Sequence, residues 1–312
     1  MKVALCGAWH VHAEGYFDRA AALGEISGVW DEDAQRCRDF CERKGVKAFS
    51  SFEELLESDA EGVIVATATD AHTELICRLA QAGKHIFTEK VLALSDEDCD
   101  RIARALEENH VTFVISLPQK YVGSRITVQK LAAGGELGKL NYLRFRNCHG
   151  GSVDNWLPAH FYDRNQCGGG AMIDLGAHGM YLTDWICGAP DTYRSVFTLA
   201  DHNERNRDQV EDNAVTVMGY DSGCIAINET GFVSKGCPAM LEVGGDKGYV
   251  RMDDSGIYKA TAATGWKPEK VELEADLPSP IDQFLTGKIL PGCGIEEARR
   301  LTHMMVMAYQ NQ

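Results

Sequence analysis

From residue 2 to residue 116, short apolar runs of β type alternate with helical patterns. Strand patterns at 2–6, 26–30, 62–66, 85–88 and 112–116 are separated by helical patterns at 13–23, 33–44, 71–82 and 95–108. Within 95–108, Ser95 and Asp98 form a capping box, and Cys99, Ile102, Ala103 and Leu106 recur at i, i+3, i+4 and i+7. Parallel neighbours can be joined only by crossovers, so this alternation predicts a parallel sheet covered by helices on both faces. A doubly wound sheet takes its ligand at the carboxyl ends of the strands, where the strand order reverses.

The turn after the first strand reads Gly7-Ala8-Trp9-His10-Val11-His12. Gly7 supplies a tight turn. Trp9 and His12 stand where a phosphate-binding loop has its second and third glycines, so either the loop is shortened or phosphate meets fewer backbone donors. The second strand ends at Asp31, whose carboxylate either accepts from an adenosine ribose, which favours NAD over NADP, or serves as a cap or turn aspartate. Two later segments fall where a nicotinamide would lie. Residues 63–72 run a buried strand into a polar turn containing Ala66, Thr67, Thr69 and His72, and residues 83–90 run another strand into Glu89-Lys90. Lys90 at a strand's carboxyl end is a functional cation or a surface charge.

A second concentration of chemistry lies at 168–178, Gly-Gly-Gly-Ala-Met-Ile-Asp-Leu-Gly-Ala-His. Met172, Leu175, Leu182 and Ile186 repeat at helical spacing, which predicts a helix from about Ala171. Asp174, His178 and Tyr181 then share the opposite stripe, as a proton-transfer set or as a solvated face.

The chain has 312 residues, roughly two domains' worth. Its net charge of −15, without a local basic cluster, disfavours nucleic acid and anionic membranes and favours a small-molecule partner. No stretch reaches membrane-spanning length, and the amino terminus shows no basic region followed by a long apolar one. Eleven cysteines, scattered and partly inside apolar runs, fit a reducing cytoplasm. Cys6, His10 and His12, or Cys37 and Cys41, lack a paired Cys-x-x-Cys partner, and no metal is expected.

Beyond about Pro118 the pattern changes. A helix at 124–133 and a strand at 139–146 lead into an irregular stretch, 147–166, dense in polar and aromatic groups: His149, Asp154, Asn155, Trp156, His160, Tyr162 and Asp163. Such a loop suits a polyhydroxylated ligand. Strands at 195–200, 214–220, 224–230, 240–243 and 249–252 come next, the second and third joined by an Asp-Ser-Gly turn, and a methionine-rich helix at 296–309 closes the chain as core packing.

With its strand and turn at 63–72, its Ala82-Gly83-Lys84-His85…Glu89-Lys90 segment and its Gly168-Gly169-Gly170…Asp174…Gly176…His178 run, the chain resembles the glucose-fructose oxidoreductase / inositol dehydrogenase (Gfo/Idh/MocA) family along nearly its whole length. The resemblance implies an NAD-binding Rossmann domain at 1–118 and a substrate-binding, oligomer-forming α/β domain with a large, mostly antiparallel sheet at 119–312, the last helix free to pack back on the first domain. It implies catalytic Lys90, Asp174 and His178 meeting over the nicotinamide. It also implies cofactor contacts from Gly7, Trp9, His10, Val11, His12, Asp31, Ala66, Thr67, Thr69, His72, Glu89 and Lys90, and substrate contacts from Lys90, Tyr121, Trp156, His160, Asp174 and His178. The expected activity is hydride transfer between NAD, less readily NADP, and a secondary alcohol or ketone of a sugar or polyol, in a cytoplasmic homo-oligomer. The alternatives are an NAD-dependent glycosidase that works through transient oxidation, and a non-catalytic sugar or dinucleotide sensor. Four departures from the family pattern stand out: the glycine loop at 7–12 is altered, Val91 replaces the proline after the lysine, Tyr181 replaces a second aspartate, and Lys120-Tyr121 replaces an Arg-aromatic pair.

Overall fold

The computed structural model describes residues 1–200 and 204–312. They form two compact units, one of Met1–Leu117 with Pro278–Thr302, the other of Pro118–Leu277 with His303–Gln312.

In the first unit, strands β1 (Lys2–Cys6), β2 (Glu25–Trp30), β3 (Gly62–Val65), β4 (His85–Thr88) and β5 (Phe113–Ile115) form one parallel sheet in the order β2-β1-β3-β4-β5. Helices α1 (Ala13–Leu23), α2 (Ala34–Lys44), α4 (His72–Gln81) and α5 (Asp96–Glu108) make the crossovers, with a short α3 (Phe52–Leu56) before β3. Val3, Ala4, Ile64, Val65, Ile86 and Phe87 are fully buried, as a sheet covered on both faces requires. Ser95 caps α5 by accepting the Asp98 N–H at 3.1 Å, as its spacing predicts. The strand order reverses between β1 and β3, which places the turns after those strands at the ligand end of the sheet.

The second unit holds α6 (Gly123–Ala133), β6 (Leu140–Cys148), α7 (Arg164–Cys167), α8 (Ala177–Cys187), β7 (Thr192–Thr198), β8 (Asn213–Gly219), β9 (Ile225–Gly231), β10 (Met240–Gly245), β11 (Gly248–Asp253), β12 (Gly256–Thr261) and β13 (Glu269–Lys270). These strands form an eight-stranded sheet in the order β13-β12-β11-β10-β6-β9-β8-β7, antiparallel except for the β6–β9 pair. Neither β12 nor β13 is predicted from the sequence. Nor is α9 (Pro280–Thr286), which belongs to the first unit and starts on a Ser279 cap. The closing helix, α10, spans Ile295–Gln310.

The helix expected from Ala171 does begin there, but its first turn, Met172–Gly176, is a π-helix that continues into α8. Its burial departs from the expected two stripes. Leu175 and Ile186 are only half-buried, whereas Tyr181, assigned to the polar stripe, is 3% exposed. An extra residue in one turn shifts the phase of the later turns relative to the earlier ones, so a single 3.6-residue template cannot describe both parts.

The glycines at 168–170 have separate reasons. Gly168 caps α7 in the left-handed region at φ +84°. A Cβ on Gly169 would collide with the Tyr309 hydroxyl, and one on Gly170 with the Glu211 carbonyl oxygen.

Candidate active site

In the first unit the candidate groups begin at the turn after β1. Gly7 adopts φ +89°, and a Cβ there would strike Thr67. Most of the donors that a phosphate-binding loop would present are engaged within the protein. Ala8 N–H donates to Asp31 Oδ2 at 2.6 Å, His10 N–H to the Ala66 carbonyl at 3.0 Å, His12 N–H to His10 Nδ1 at 3.2 Å and Ala13 N–H to the His10 carbonyl at 3.0 Å. Trp9 is buried and Val11 exposed. The missing glycines are therefore a real difference in the loop: its amides tie it to β2 and β3.

Asp31 is 4% exposed, and its carboxylate holds four N–H donors. Besides Ala8 these are Asp33 N–H at 2.8 Å and the Arg36 fork, Nε to Oδ2 at 2.8 Å and Nη2 to Oδ1 at 2.6 Å. The cap of α2 is Asp33, which accepts from Gln35 and Arg36 N–H. Thr69 opens a short 3₁₀ turn, and His72 is 1% exposed with Nδ1 3.1 Å from the Leu92 carbonyl. Burial pushes the His72 imidazole below its ordinary value.

Glu89 is 1% exposed and gathers a network. His12 Nδ1 lies 2.8 Å from Glu89 Oε1, the Tyr16 hydroxyl donates to the same oxygen and stands 2.8 Å from Ser116 Oγ, and Lys90 N–H donates to Oε2 at 3.0 Å. Burial pushes the carboxyl upward, but the imidazoles of His10 and His12 and the Lys90 ammonium outweigh it, and the group titrates below its ordinary range. Lys90 itself is 7% exposed and is joined to Val91 by a cis peptide. Lys84, from the same sequence segment, is structural: its ammonium donates to the Ser58 and Ala60 carbonyls at 2.7 and 2.8 Å.

In the second unit the candidate groups lie on the π-turn and α8. Glu211 sets their start, its Oε1 accepting Gly170 and Met172 N–H at 3.0 Å each and the Tyr309 hydroxyl at 2.6 Å, while its carbonyl accepts Ala171 N–H at 2.8 Å. These bonds satisfy N–H groups that a helix start leaves without intrahelical acceptors. Along α8, His178 Nδ1 lies 2.8 Å from the Tyr181 hydroxyl, and that oxygen accepts Gln119 N–H at 3.2 Å. His178 and Tyr181 are thus brought together, as their spacing predicts.

Asp174, half-buried, acts electrostatically on His149, a residue of the 147–166 stretch. Burial pushes the His149 imidazole down and the Asp174 carboxylate opposes that shift. The His149 ring stacks on Phe232 at 5.1 Å and 9°, and Trp156, 55% exposed, covers it at 4.6 Å. His160 lies elsewhere in that stretch, lining a 520 Å³ cavity with Asp163, Glu204 and Arg207 that neither Asp174 nor His178 borders. Asp163 caps α7, and Tyr162 shares a 2.7 Å hydrogen bond with Ser152 in the core. Tyr121 is 4% exposed, and the Lys120 ammonium lies 5.6 Å from the Trp185 ring centre.

Sequence reasoning did not single out Tyr16, Ser116, Glu211 or Tyr309. Each reaches its partner across 39 or more residues, Tyr309 across 98, and no local spacing encodes such a contact.

Residues 1–117 match the oxidoreductase family with an NAD-binding Rossmann fold, and residues 126–251 match the GFO/IDH/MocA C-terminal domain. The myo-inositol 2-dehydrogenase of Thermotoga maritima is 28% identical over 239 residues, which cover 75% of this chain and 68% of that one. The 1,5-anhydro-D-fructose reductase of Ensifer adhaerens is 24% identical over 230 residues, 73% of this chain and 68% of that one. In fold, the chain is similar to GenD2 from gentamicin A biosynthesis, crystallised with NAD: TM-score 0.81 at 22% identity, covering 100% of this chain and 93% of that one. The parallel sheet with its β1–β3 switch point, the eight-stranded second sheet and the two family matches lead to one conclusion: this chain belongs to the GFO/IDH/MocA family of NAD-binding oxidoreductases.

Proposed function

We propose that this chain is an NAD(H)-dependent oxidoreductase that moves a hydride between nicotinamide and a secondary alcohol or ketone of a sugar, polyol or related compound. The observation that carries the reading is the His178–Tyr181 pair, an imidazole oriented by a 2.8 Å contact between Nδ1 and a phenol hydroxyl. The names of the inositol dehydrogenase and anhydrofructose reductase relatives support the substrate class.

The first unit fits a dinucleotide. Thr67 Oγ1, just beyond β3 at the ligand end of the sheet, is a buried hydroxyl with no hydrogen-bond partner among the described residues, a group that a bound ligand would satisfy. Gly7 keeps the backbone at the β1 turn close-packed and free of a side chain. When bound, the nicotinamide supplies the hydride acceptor or donor.

The chain's own groups do the rest. With its proton on Nδ1, donated to Tyr181, the His178 ring presents a basic Nε2 to the substrate hydroxyl; the Tyr181 oxygen has two lone pairs and holds both this proton and the Gln119 N–H. Lys90 donates to the developing alkoxide, and Asp174 with His149 positions neighbouring hydroxyls. Exposed Val196, Val217 and Ile225 on one face of the eight-stranded sheet support a homo-oligomer, which light scattering reads directly. The test of function is a screen of polyols and sugar derivatives for NADH formation, beside calorimetric binding of NAD. No binding of either dinucleotide would overturn the reading.

A further inference from the structure

The turn after β1 brings two histidines to one carboxylate. His10 is buried at 7% exposure, His12 stands at the N-cap of α1 with its side chain 51% exposed, and Glu89 lies at the end of β4. Their donor atoms converge. His12 Nδ1 is 2.8 Å and His10 Nδ1 3.8 Å from Glu89 Oε1, and one ligand atom from each of the three residues lies within 4.8 Å of the other two. Ligand atoms around a tetrahedral cation with bonds of about 2.0–2.2 Å stand about 3.3–3.6 Å apart, so the observed spread brackets that of a three-ligand site.

The hydrogen bonds indicate which atoms offer electron pairs. His10 Nδ1 accepts the His12 backbone N–H at 3.2 Å, which makes it the unprotonated nitrogen, and it faces a carboxylate oxygen, a second acceptor. Two acceptors turned toward one point suit a cation. The carboxylate is also oriented by the Tyr16 hydroxyl, itself bonded to Ser116, which donates to the same Oε1, and by Lys90 N–H, which donates to Oε2. Outer bonds of this kind orient a metal ligand and are part of a built site. The exposed ring of His12 leaves one side open to water.

We infer that His10, His12 and Glu89 bind one divalent cation of borderline softness, of the Zn²⁺ or Co²⁺ type, with a fourth position open to solvent. Two imidazoles and one carboxylate favour such an ion over Mg²⁺ or Ca²⁺, which take oxygen ligands. The ion takes the Nδ1 lone pair that the contact with Glu89 Oε1 now occupies: a neutral His12 moves its proton from Nδ1 to Nε2, and a protonated one releases it. The site is formed wholly within the first unit, from three residues that the resemblance assigns to cofactor contact, so metal uptake is read without dinucleotide.

The probe is Co²⁺ added to chelator-stripped protein without dinucleotide, followed by visible absorption and calorimetry. One ion per chain is expected, with ligand-field bands of a nitrogen and oxygen site and no thiolate charge-transfer band. The last point separates this site from the eleven cysteines. His12→Ala should weaken uptake by more than about tenfold, beyond the smallest effect of an outer-shell change, and a thermal melt of the same variant, whose side chain is half-exposed, separates lost ligation from unfolding. Glu89→Gln, which keeps the shape and removes the charge, should do the same. No uptake, uptake unchanged in both variants, or a thiolate band would each overturn the assignment.

Discussion

Arg36 closes a two-bond fork on Asp31, Nε to Oδ2 at 2.8 Å and Nη2 to Oδ1 at 2.6 Å, at the end of the strand where a bound adenosine ribose would be read. The acidic group proposed to disfavour a 2′-phosphate therefore carries its own counter-charge. Asp31→Asn should release the guanidinium for a phosphate and shift preference toward NADP by about 10–100-fold. Arg36→Ala should act in the opposite sense and weaken NADP more than NAD. Calorimetry with both dinucleotides checks the pair, and an unchanged ratio in both variants would remove Asp31 and Arg36 from cofactor choice.

The hydrogen bond between His178 and Tyr181 predicts a division of labour. His178→Ala should lower turnover by about 10²–10⁴-fold with NADH binding retained. Tyr181→Phe keeps the ring and removes the 2.8 Å contact, so turnover should fall by about tenfold with little change in substrate KM. Steady-state kinetics on a confirmed substrate decides this; wild-type turnover in Tyr181→Phe would deny the hydroxyl an orienting role.

Stability should fall as the solution is acidified below about pH 6.5, the ordinary imidazole value. His72 and His149 are both pushed down by burial, the latter partly restored by Asp174. For a group depressed in the folded state, stabilisation is complete above the unfolded value and is lost as pH falls toward the folded one, because the unfolded chain takes up the proton first. Denaturant unfolding at about pH 7.5 and about pH 5.5, on either side of that value, measures the slope. His72→Gln should make the difference between the two smaller, and an equal difference would place the loss elsewhere.

Gly170 packs against the Glu211 backbone, which cannot swing aside as a flexible side chain would. Gly170→Ala should destabilise by about 1–3 kcal/mol. Glu211→Gln should also lower Tm, since the carboxylate accepts three hydrogen bonds at once. If Gly170→Ala melts like the wild type, the close approach has no energetic weight.

Periodic and local features were the legible ones. The five parallel strands and their helices come from alternation, the Ser95 cap from spacing, and the hairpin of β8 and β9 from its Asp-Ser-Gly turn. Residues 256–290 were opaque because their elements carry little pattern: β12 buries only Ile257 and Thr261 without a clean alternation, β13 is two exposed residues, and α9 makes only about two turns. Ser279 and Asp282 did offer a cap signal there, with Pro280 at the first helical position. The site was legible in its residue types and less so in its partners. His178 meets Tyr181 three residues on, whereas Asp174 acts on His149, a pairing that depends on how an irregular stretch folds back.

The π-turn at Met172–Gly176 constrains how this protein can change. One surplus residue is wound into the helix between the triple glycine and His178, and no point substitution can remove it. Deleting a single residue there would return the segment to α geometry and turn every later side chain by roughly 100° about the axis, moving His178 and Tyr181 as one block against the anchored start at Glu211. Under the proposed function, substitution at Asp174 would change what is recognised, and deletion beside it would change where the His178 ring points. The two are separable routes to a new specificity, and a length difference of one residue between the glycines and the histidine distinguishes them in any relative.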